Sequence, residues 1–258
     1  MPVSPKMQPG PSVRQSEYKT VPILFFALLS VFLIISCNKN INASANKAYM
    51  CITNAAPGAP PIDAFFNGEK FTTAGQLAYC TTTGVPGDLY DTAVAGIHSF
   101  SIAAGTNTYA NGNISLGLGK YYSVFVYDTL SGGSFRTLVL QDGIGATSAD
   151  TLSAYRFLNL SPDTNRIAII LTNQVDTTTL AYGLTPFIGP NPVPGGFSPF
   201  SYSLVQGSYG VVAYLDSAHY MPLDSVSFTG GKTYTIYITG FYYASGANAL
   251  GIHLIQHN

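Results

Sequence analysis

The sequence has no tryptophan and few charged residues, and the low charge limits the classes of protein to which the chain can belong. Lys and Arg number 11 and Asp and Glu 12 among 258 residues, so 9% are charged and the formal net charge is −1. Average soluble domains carry about a quarter charged residues, and nucleic-acid binding needs a basic surface, which this chain does not supply. Low charge with 47% hydrophobic residues argues against disorder, because so much apolar surface offsets the entropy lost on ordering.

Helical periodicity is also lacking, since no ten-residue stretch after residue 37 has a clear period of 3.6. The chain instead has 18 Tyr, 15 Phe, 26 Gly and 16 Pro, a composition that favours short strands and turns. Runs such as residues 121–127 and 234–238 are β-branched and aromatic. These features predict an all-β fold of antiparallel Ig-like sandwiches, and the length suits two domains of about 100 residues each.

The N-terminus has the parts of a secretory signal. Lys6, Arg14 and Lys19 precede fifteen uncharged residues at 21–35, which end at Ser36-Cys37. A membrane-spanning helix needs about 20 apolar residues, whereas a signal peptide has a basic lead, a short apolar core and a small residue at the cleavage site. We predict a signal peptide at residues 1–36, and the alternative is an uncleaved signal anchor.

Residues 34–37, Ile-Ile-Ser-Cys, resemble the lipobox of bacterial lipoproteins. The resemblance implies cleavage before Cys37, a diacylglyceryl thioether on its sulfur and acylation of the new amino group. Asn38 stands where Asp would resemble an inner-membrane retention signal, so by analogy the destination is the outer membrane, facing either the periplasm or the exterior. Residues 37–47 then comprise the lipidated cysteine and a polar, flexible tether.

The chain after this tether repeats itself. Four blocks recur in the same order, offset by 103 to 115 residues, which indicates duplication of a whole domain. We predict sandwiches at 48–141 and 153–258, a linker at 142–152, and an insertion at 189–199 that is too rich in Pro and Gly for a central strand. The blocks are Asn54–Pro57 with Asn159–Pro162, Leu77–Cys80 with Leu180–Gly183, Gly119–Tyr127 with Gly231–Thr239, and Leu138–Gln141 with His253–Gln256.

The opening of the first copy, an apolar strand, Asn54–Pro57 and then Pro61–Gly68, resembles that of the domain of unknown function 4397. The Gly-Lys-x-Tyr strands at 119–127 and 231–239 fit the same family. The resemblance implies an Ig-like sandwich, often tandem, in secreted and lipid-anchored bacterial proteins. It implies no established reaction.

Residues with the spacing of catalytic or metal sites are lacking. None of the four histidines has the spacing of a metal site; His98 is predicted at a strand surface and His257 at a fraying terminus. There is no G-x-S-x-G elbow, and Asp63, the most distinctive acid, has the character of a turn or strand-surface hydrogen-bonder. We therefore expect no enzymatic activity, no cofactor and no metal.

Two sets of residues are candidates for covalent modification. Cys51 and Cys80 remain once Cys37 is lipidated, and an even number of thiols in an oxidising compartment favours a disulfide; the alternative is two free, buried thiols. Five Asp-hydroxyl-aliphatic triplets resemble the O-glycosylation acceptor of Bacteroidetes, although Asp-Ser/Thr is also common turn chemistry. Their hydroxyl residues are Thr92, Thr129, Thr151, Ser217 and Ser225.

These features predict a lipid-anchored envelope protein without enzymatic activity that displays tandem Ig-like domains for adhesion or envelope interactions. The partner is then a protein or a glycan, and no nucleic acid is expected. The alternative is a carbohydrate-binding lipoprotein for glycan capture or uptake, with tyrosines as stacking platforms. The candidate platforms are Tyr242-Tyr243, Tyr121-Tyr122 and residues 197–202, although most aromatics of a sandwich lie in its core or in cross-strand pairs.

Overall fold

The structure is a computed structural model that describes residues 46–85, 88–130, 133–144, 151–173, 200, 202–215 and 219–258, and additionally the backbone of 179–186. At 202 and 223–225 only the backbone is described. The predicted signal peptide, Cys37, the insertion at 189–199 and Ser217 lie outside these residues.

The first half, residues 46–144, forms eight strands in two four-stranded sheets. Inner sheet 1 has the order β4-β1-β7-β8, and outer sheet 1 has the order β3-β2-β5-β6. The strands are β1 Lys47–Asn54, β2 Asp63–Phe66, β3 Glu69–Lys70, β4 Asp91–Val94, β5 Gly96–Ala104, β6 Asn107–Leu116, β7 Tyr121–Tyr127 and β8 Arg136–Asp142.

The second half, residues 151–258, forms eight further strands in the same arrangement. Inner sheet 2 has the order β12-β9-β15-β16, and outer sheet 2 has the order β11-β10-β13-β14. Each strand of the second half thus occupies the same sheet position as the first-half strand whose number is eight lower, for example β9 and β1. The strands are β9 Leu152–Asn159, β10 Arg166–Asn173, β11 Thr179–Pro186, β12 Tyr202–Val205, β13 Gly207–Tyr214, β14 Tyr220–Phe228, β15 Thr233–Thr239 and β16 Gly251–Gln256.

The predicted all-β sandwich architecture is confirmed, with one difference in strand direction. Pairing is antiparallel except that β1 is parallel to β7 and β9 is parallel to β15 in the inner sheets. Strands β2, β5 and β6 of outer sheet 1 lie between β1 and β7 in the chain. Parallel neighbours need such a crossover, and here the opposite sheet supplies it.

Three apolar clusters separate four layers of sheet. The first lies between outer and inner sheet 1 and includes Ile52, Ile102 and Val124. The second lies between inner and outer sheet 2 and includes Val211 and Ile236. The third, which we call the seam, joins the two inner sheets to each other, so the order of layers is outer 1, inner 1, inner 2, outer 2.

This layering explains the two kinds of strand pattern in the sequence. Strands β7 and β15 are almost continuously buried, because these central strands of the inner sheets are covered on both faces. Strand β13 instead alternates buried with more exposed positions, as expected when one face meets solvent. Contacts group Asn46–Asn258 into one compact unit.

The predicted linker at 142–152 is shorter in the structure. Asp142 is the last residue of β8 and Leu152 the first residue of β9, and residues 145–150 lie outside the described part of the chain. Asp142 is held in the seam by its buried partners, which are described below.

Candidate functional site: the seam between the inner sheets and its flanking clefts

The apolar part of the seam pairs residues of the two halves directly. The Phe125 and Tyr237 rings meet edge to face with centroids 5.7 Å apart, a favoured aromatic geometry. The Thr239 hydroxyl donates a hydrogen bond of 2.6 Å to the Ala55 carbonyl across the same boundary. The seam cluster comprises Cys51, Ala55, Leu89, Phe125, Tyr127, Leu138 and Leu140 from the first half and Leu158, Leu160, Tyr237 and Ile255 from the second.

A buried ion pair lies beside this apolar cluster. Arg156 Nη1 donates to Asp142 Oδ1 at 2.7 Å, and Arg156 Nε donates to Thr235 Oγ1 at 2.8 Å. The guanidinium also lies 4.6 Å from the centre of the Phe200 ring, which adds a cation–π contact. Buried charges need such partners, because burial removes their hydration.

The hydrogen bonds around this pair form a closed ring, which we call the seam ring: Arg156, Thr235, His257, Tyr90 and Asp142. Thr235 Oγ1 lies 2.7 Å from His257 Nε2, and His257 Nδ1 lies 2.7 Å from the Tyr90 hydroxyl. Tyr90 in turn donates to Asp142 Oδ2 at 2.8 Å.

The donor directions around the seam ring assign its protons. Since Tyr90 donates its only proton to Asp142, its oxygen accepts from His257, which therefore carries a proton on Nδ1. His257 Nε2 is then the acceptor for the Thr235 hydroxyl. Burial lowers the pKa of His257 to about 3, which agrees with this neutral tautomer.

The seam ring combines corresponding positions of the two halves. Cys51 pairs with Ser123 in the β1–β7 register, as Arg156 pairs with Thr235 in the β9–β15 register. The β7–β8 and β15–β16 registers likewise make Asp142 correspond to His257. The same three strand positions of the two halves therefore meet at the seam, with different side chains on each side.

First-half hydroxyl and thiol groups extend the ring. Ser123 donates to Asp142 Oδ2 at 2.6 Å, and Cys51 Sγ lies 3.5 Å from Ser123 Oγ. Burial raises the pKa of the Cys51 thiol to about 12 and raises that of the Tyr90 hydroxyl. Both groups are protonated at neutral pH. Asp142 and Tyr90, to which these first-half bonds lead, make the bonds that cross to Arg156 and His257 of the second half.

Sequence reasoning misplaced two members of this ring. His257 was expected at a fraying terminus, but it is only 2% exposed, because its two ring nitrogens bond to Tyr90 and Thr235. Asp142 was expected in the linker, but it is 4% exposed and paired with Arg156. The one sequence signal was Arg156 itself, a charge within the apolar run Tyr155–Leu158.

A tyrosine-lined cleft, the seam cleft, opens beside the seam ring. Its volume is about 270 Å³, and Tyr49, Tyr90, Tyr121, His257 and Asp88 are among its lining residues. The rings of Tyr49 and Tyr121 stack with centroids 4.6 Å apart, and Tyr90 meets Tyr121 edge to face. The cleft therefore offers aromatic surface beside a carboxylate.

Of the predicted pair Tyr121-Tyr122, only Tyr121 reaches this cleft. Tyr122 is buried in the first core, where its hydroxyl accepts a hydrogen bond from the Gly117 N–H. Of the residues at 197–202, Phe200 packs on Arg156 and His257. Phe200 thus supports the seam ring.

A second cleft, the outer cleft, is lined by Tyr242 of the other predicted tyrosine platform. It has a volume of about 330 Å³ and is lined by residues that include Tyr220, Met221 and Tyr242. Tyr243 is 90% exposed, and its ring contacts that of Tyr242 at 4.4 Å between centroids. The structure thus brings Tyr242 and Tyr243 together at an open surface.

The expected Cys51–Cys80 disulfide is not formed, and both thiols are free. The Cys80 N–H donates to the Asn54 carbonyl, three residues along β1 from Cys51. Cys80 therefore lies beside Asn54, which at a strand rise of about 3.3 Å per residue is about 10 Å along β1 from Cys51, whereas disulfide-bonded Cα atoms lie within roughly 7 Å of each other. The alternative of two free thiols describes the structure.

Cys80 has a different partner from the one expected. Its Sγ lies 3.4 Å from His253 Nε2, across 173 residues of sequence. Its backbone φ is +61°, a left-handed conformation that costs a non-glycine residue about 1–2 kcal/mol. The His253 ring stacks on that of Tyr237 with centroids 5.0 Å apart.

The other predicted polar residues have structural partners. Asp63 accepts hydrogen bonds from Thr72 and Gln76 and pairs with Lys70 at 2.9 Å, the surface role that the sequence indicated. His98 lies on β5 and bonds through Nδ1 to the Asn67 side chain and through Nε2 to the Val94 carbonyl.

The predicted O-glycosylation residues lie in different environments. Thr92 and Thr151 are exposed, and Thr129 is half-buried. Thr92 lies on β4 at the edge of inner sheet 1. The side chains of Ser217 and Ser225 lie outside the described part of the chain.

Among the described residues, no three His, Cys, Asp or Glu side chains are grouped to hold a metal ion. No helix formed by these residues is long and apolar enough to cross a membrane.

The fold and site thus define a double β-sandwich whose halves share a buried seam. Residues 48–170 match the model of the family described as Domain of unknown function (DUF4397), which supports that domain family for this part of the chain. The match covers the first half and continues to β10 of the second.

Two further comparisons add little to this family match. A search of curated proteins finds no match. Among solved structures, the chain is similar to the crystal structure of a protein from Bacteroides ovatus that is provisionally named a cell adhesion protein. The two sequences are 12% identical, the alignment covers 81% of this chain and 95% of that chain, and the TM-score is 0.22. A TM-score this low supports no argument about function.

Proposed function

We propose that this chain is a lipid-anchored envelope protein without enzymatic activity, whose paired sandwiches form one display module for adhesion or envelope interactions. The observation that carries the proposal is the seam. Apolar packing and a closed ring of hydrogen bonds join the two halves. Such a body resists bending between its halves, which suits a protein that holds binding loops away from a membrane.

The proposed anchor is the acylated Cys37. The polar residues 38–47 would then separate the lipid from the body, which begins with β1 at Lys47. The outer membrane is the proposed location, facing either the periplasm or the exterior. The proposed partners are the membrane, through the lipid, and a protein or glycan.

Attachment of cells tests this function. Cells that express the full chain are compared with cells that express Cys37→Ser, for attachment to neighbouring cells and to coated surfaces. We expect attachment to depend on Cys37, because a released protein cannot tether its cell. Equal attachment by both strains, with the wild-type protein accessible on the surface, would contradict an adhesive role.

Glycan capture is the second candidate function, and the tyrosines of the two clefts support it. Aromatic faces stack on sugar rings, and tyrosine also provides a hydroxyl at the rim. A glycan array with the full chain tests it, with Tyr121→Ala for the seam cleft and Tyr242→Ala for the outer cleft. Tyr109→Ala, which removes a ring packed on Phe135, is the control. Binding that survives both cleft variants would exclude these sites.

A further inference from the structure

Cys80 and His253 bring a thiol and an imidazole together from opposite halves of the molecule. Cys80 Sγ lies 3.4 Å from His253 Nε2, within hydrogen-bonding reach for sulfur. No local sequence pattern predicts this pair, since 173 residues separate the two side chains. A thiol beside a base is the minimal arrangement of an activated sulfur nucleophile.

The surrounding backbone fixes both partners. Cys80 is held in a left-handed conformation, with φ of +61°, by its N–H bond to the Asn54 carbonyl. Non-glycine residues in such conformations cluster at functional sites. On the other side, Tyr237 stacks on the His253 ring, and a side chain at Gly251 would come within 3.1 Å of His253 Nε2.

The pair rests as a neutral thiol and a neutral imidazole; burial opposes its conversion to a thiolate and an imidazolium, so the proton moves only when the sulfur attacks a disulfide. Burial raises the pKa of the Cys80 thiol, so this thiol stays protonated at neutral pH and needs a base to react. Burial lowers the pKa of His253, so its imidazole is neutral and able to accept that proton. Tyr79 and Tyr237 also lie close to Cys80, and burial raises the pKa of both hydroxyls, so they stay neutral.

We propose that Cys80 is a reactive thiol that forms a mixed disulfide with a low-molecular-weight disulfide, with His253 as the proton acceptor. The Cys80 proton passes to His253 Nε2, and the thiolate attacks one sulfur of the disulfide R–S–S–R′. The Cys80–S–R bond forms as the S–S bond breaks, and R′–S⁻ leaves with the proton from the imidazolium. This activity goes beyond the proposed display function and does not depend on it.

Cys51 provides an internal control. It is completely buried in the seam, and its thiol contacts Ser123 instead of a base. Cys80 is half-buried and therefore accessible in part. The two thiols of one molecule thus differ in both features that govern thiol reactivity, access and proton removal.

Reaction of the folded protein with oxidised glutathione tests the proposal. The full chain carries Cys37→Ser, which leaves Cys51 and Cys80 as its thiols, and intact-mass spectrometry follows adduct formation over time. We expect one glutathione adduct, at Cys80, that is absent in Cys80→Ser and retained in Cys51→Ala. His253→Ala and His253→Phe should slow its formation at neutral pH by about tenfold or more, as for loss of a general base.

One variant and one rescue experiment distinguish proton transfer by His253 from a purely structural role of its ring. His253→Phe keeps a ring to stack on Tyr237 but has no proton acceptor, and added imidazole should restore the rate in His253→Ala. Circular dichroism confirms that each variant is folded. An adduct that forms at the wild-type rate in both His253 variants, or that forms first at Cys51, would overturn the proposal.

Discussion

Asp142 and Arg156 form an ion pair that crosses the boundary between the two halves, with 2.7 Å between Oδ1 and Nη1 and side chains that are 0% and 4% exposed. Asp142 ends the last strand of the first half, and Arg156 lies in the first strand of the second. The pair is therefore fixed by two sheets at once. Thr235 bonds to Arg156, and Tyr90 and Ser123 bond to Asp142; a buried pair needs such bonds to offset its lost hydration.

Removal of one member of this pair should destabilise the protein strongly. Asp142→Leu or Arg156→Met leaves an unpaired buried charge, and we expect a loss of about 3–5 kcal/mol in the free energy of unfolding. The double variant should lose markedly less than the two single losses added together, because neither charge remains. Urea unfolding monitored by circular dichroism measures each value.

Lys70→Met is the matched control for this experiment. It breaks the Lys70–Asp63 pair, whose lysine side chain is 42% exposed, and exposed pairs contribute about 0–1 kcal/mol. If Arg156→Met costs no more than Lys70→Met, the seam pair does not hold the halves together.

His257 should make stability depend on pH. Its pKa falls from 6.5 to about 3 on folding, so between these values the unfolded chain binds more protons than the folded one. Stability is therefore fully present above about pH 6.5 and declines on acidification, by up to about 1.4 kcal/mol per pH unit. Urea unfolding at steps from pH 7.5 to 4 measures this decline.

His257→Gln isolates this contribution. Glutamine keeps a neutral hydrogen-bonding group without a titrating ring, so the variant should be less stable at pH 7.5 but should lose less stability on acidification. Asp63 and His253, whose pKa values are also lowered by folding, act in the same direction in both proteins and cancel in the comparison. Parallel curves for wild type and variant would contradict the assignment to His257.

The sequence predicted the strands better than it predicted their assembly. The repeated block Gly119–Tyr127 contains β7, and Gly231–Thr239 contains β15, because period-2 and β-branched patterns are local properties. The all-β sandwich class follows from the same patterns. The alternation in β13 and the continuous burial of β15 differ because β15, a central strand of an inner sheet, is covered on both faces, whereas β13 has one face towards solvent.

The seam could not be predicted in the same way, because its contacts join residues far apart in the chain. Tyr90 and His257 are separated by 167 residues and Cys80 and His253 by 173. Periodicity carries no information about such pairs. Asp142 therefore resembled part of a polar linker, and His257 resembled a free end.

Truncation of Phe125 tests the apolar part of the seam. Phe125 is fully buried against Tyr237 of the other half, so Phe125→Ala should cost about 3–5 kcal/mol in the free energy of unfolding. Val139→Ala, on the neighbouring strand at a position that is 38% exposed, should cost under about 1 kcal/mol. Equal urea midpoints for the two variants would contradict a packed seam.

The free thiols predict a definite alkylation pattern. Purified without reducing agent, the native full chain should be alkylated at Cys80 and not at Cys51, because Cys51 is completely buried. Unfolding in urea should then expose Cys51 to the same reagent. Peptide mass spectrometry locates both labels; if neither thiol is labelled in urea until a reductant is added, the two are joined by a disulfide.

Cys37 should determine membrane attachment. Apart from residues 21–35, the sequence has no apolar run near the roughly 20 residues that a spanning helix needs. One acyl chain binds a membrane only marginally, so the several chains of an acylated cysteine make attachment durable. Cys37→Ser should abolish labelling by a fatty-acid analogue and processing at residue 37, while circular dichroism and urea unfolding match wild type, since β1 begins ten residues later at Lys47. Label on Cys37→Ser would show that the chain is acylated at another residue. Wild-type protein in the soluble fraction would show that the chain is not anchored.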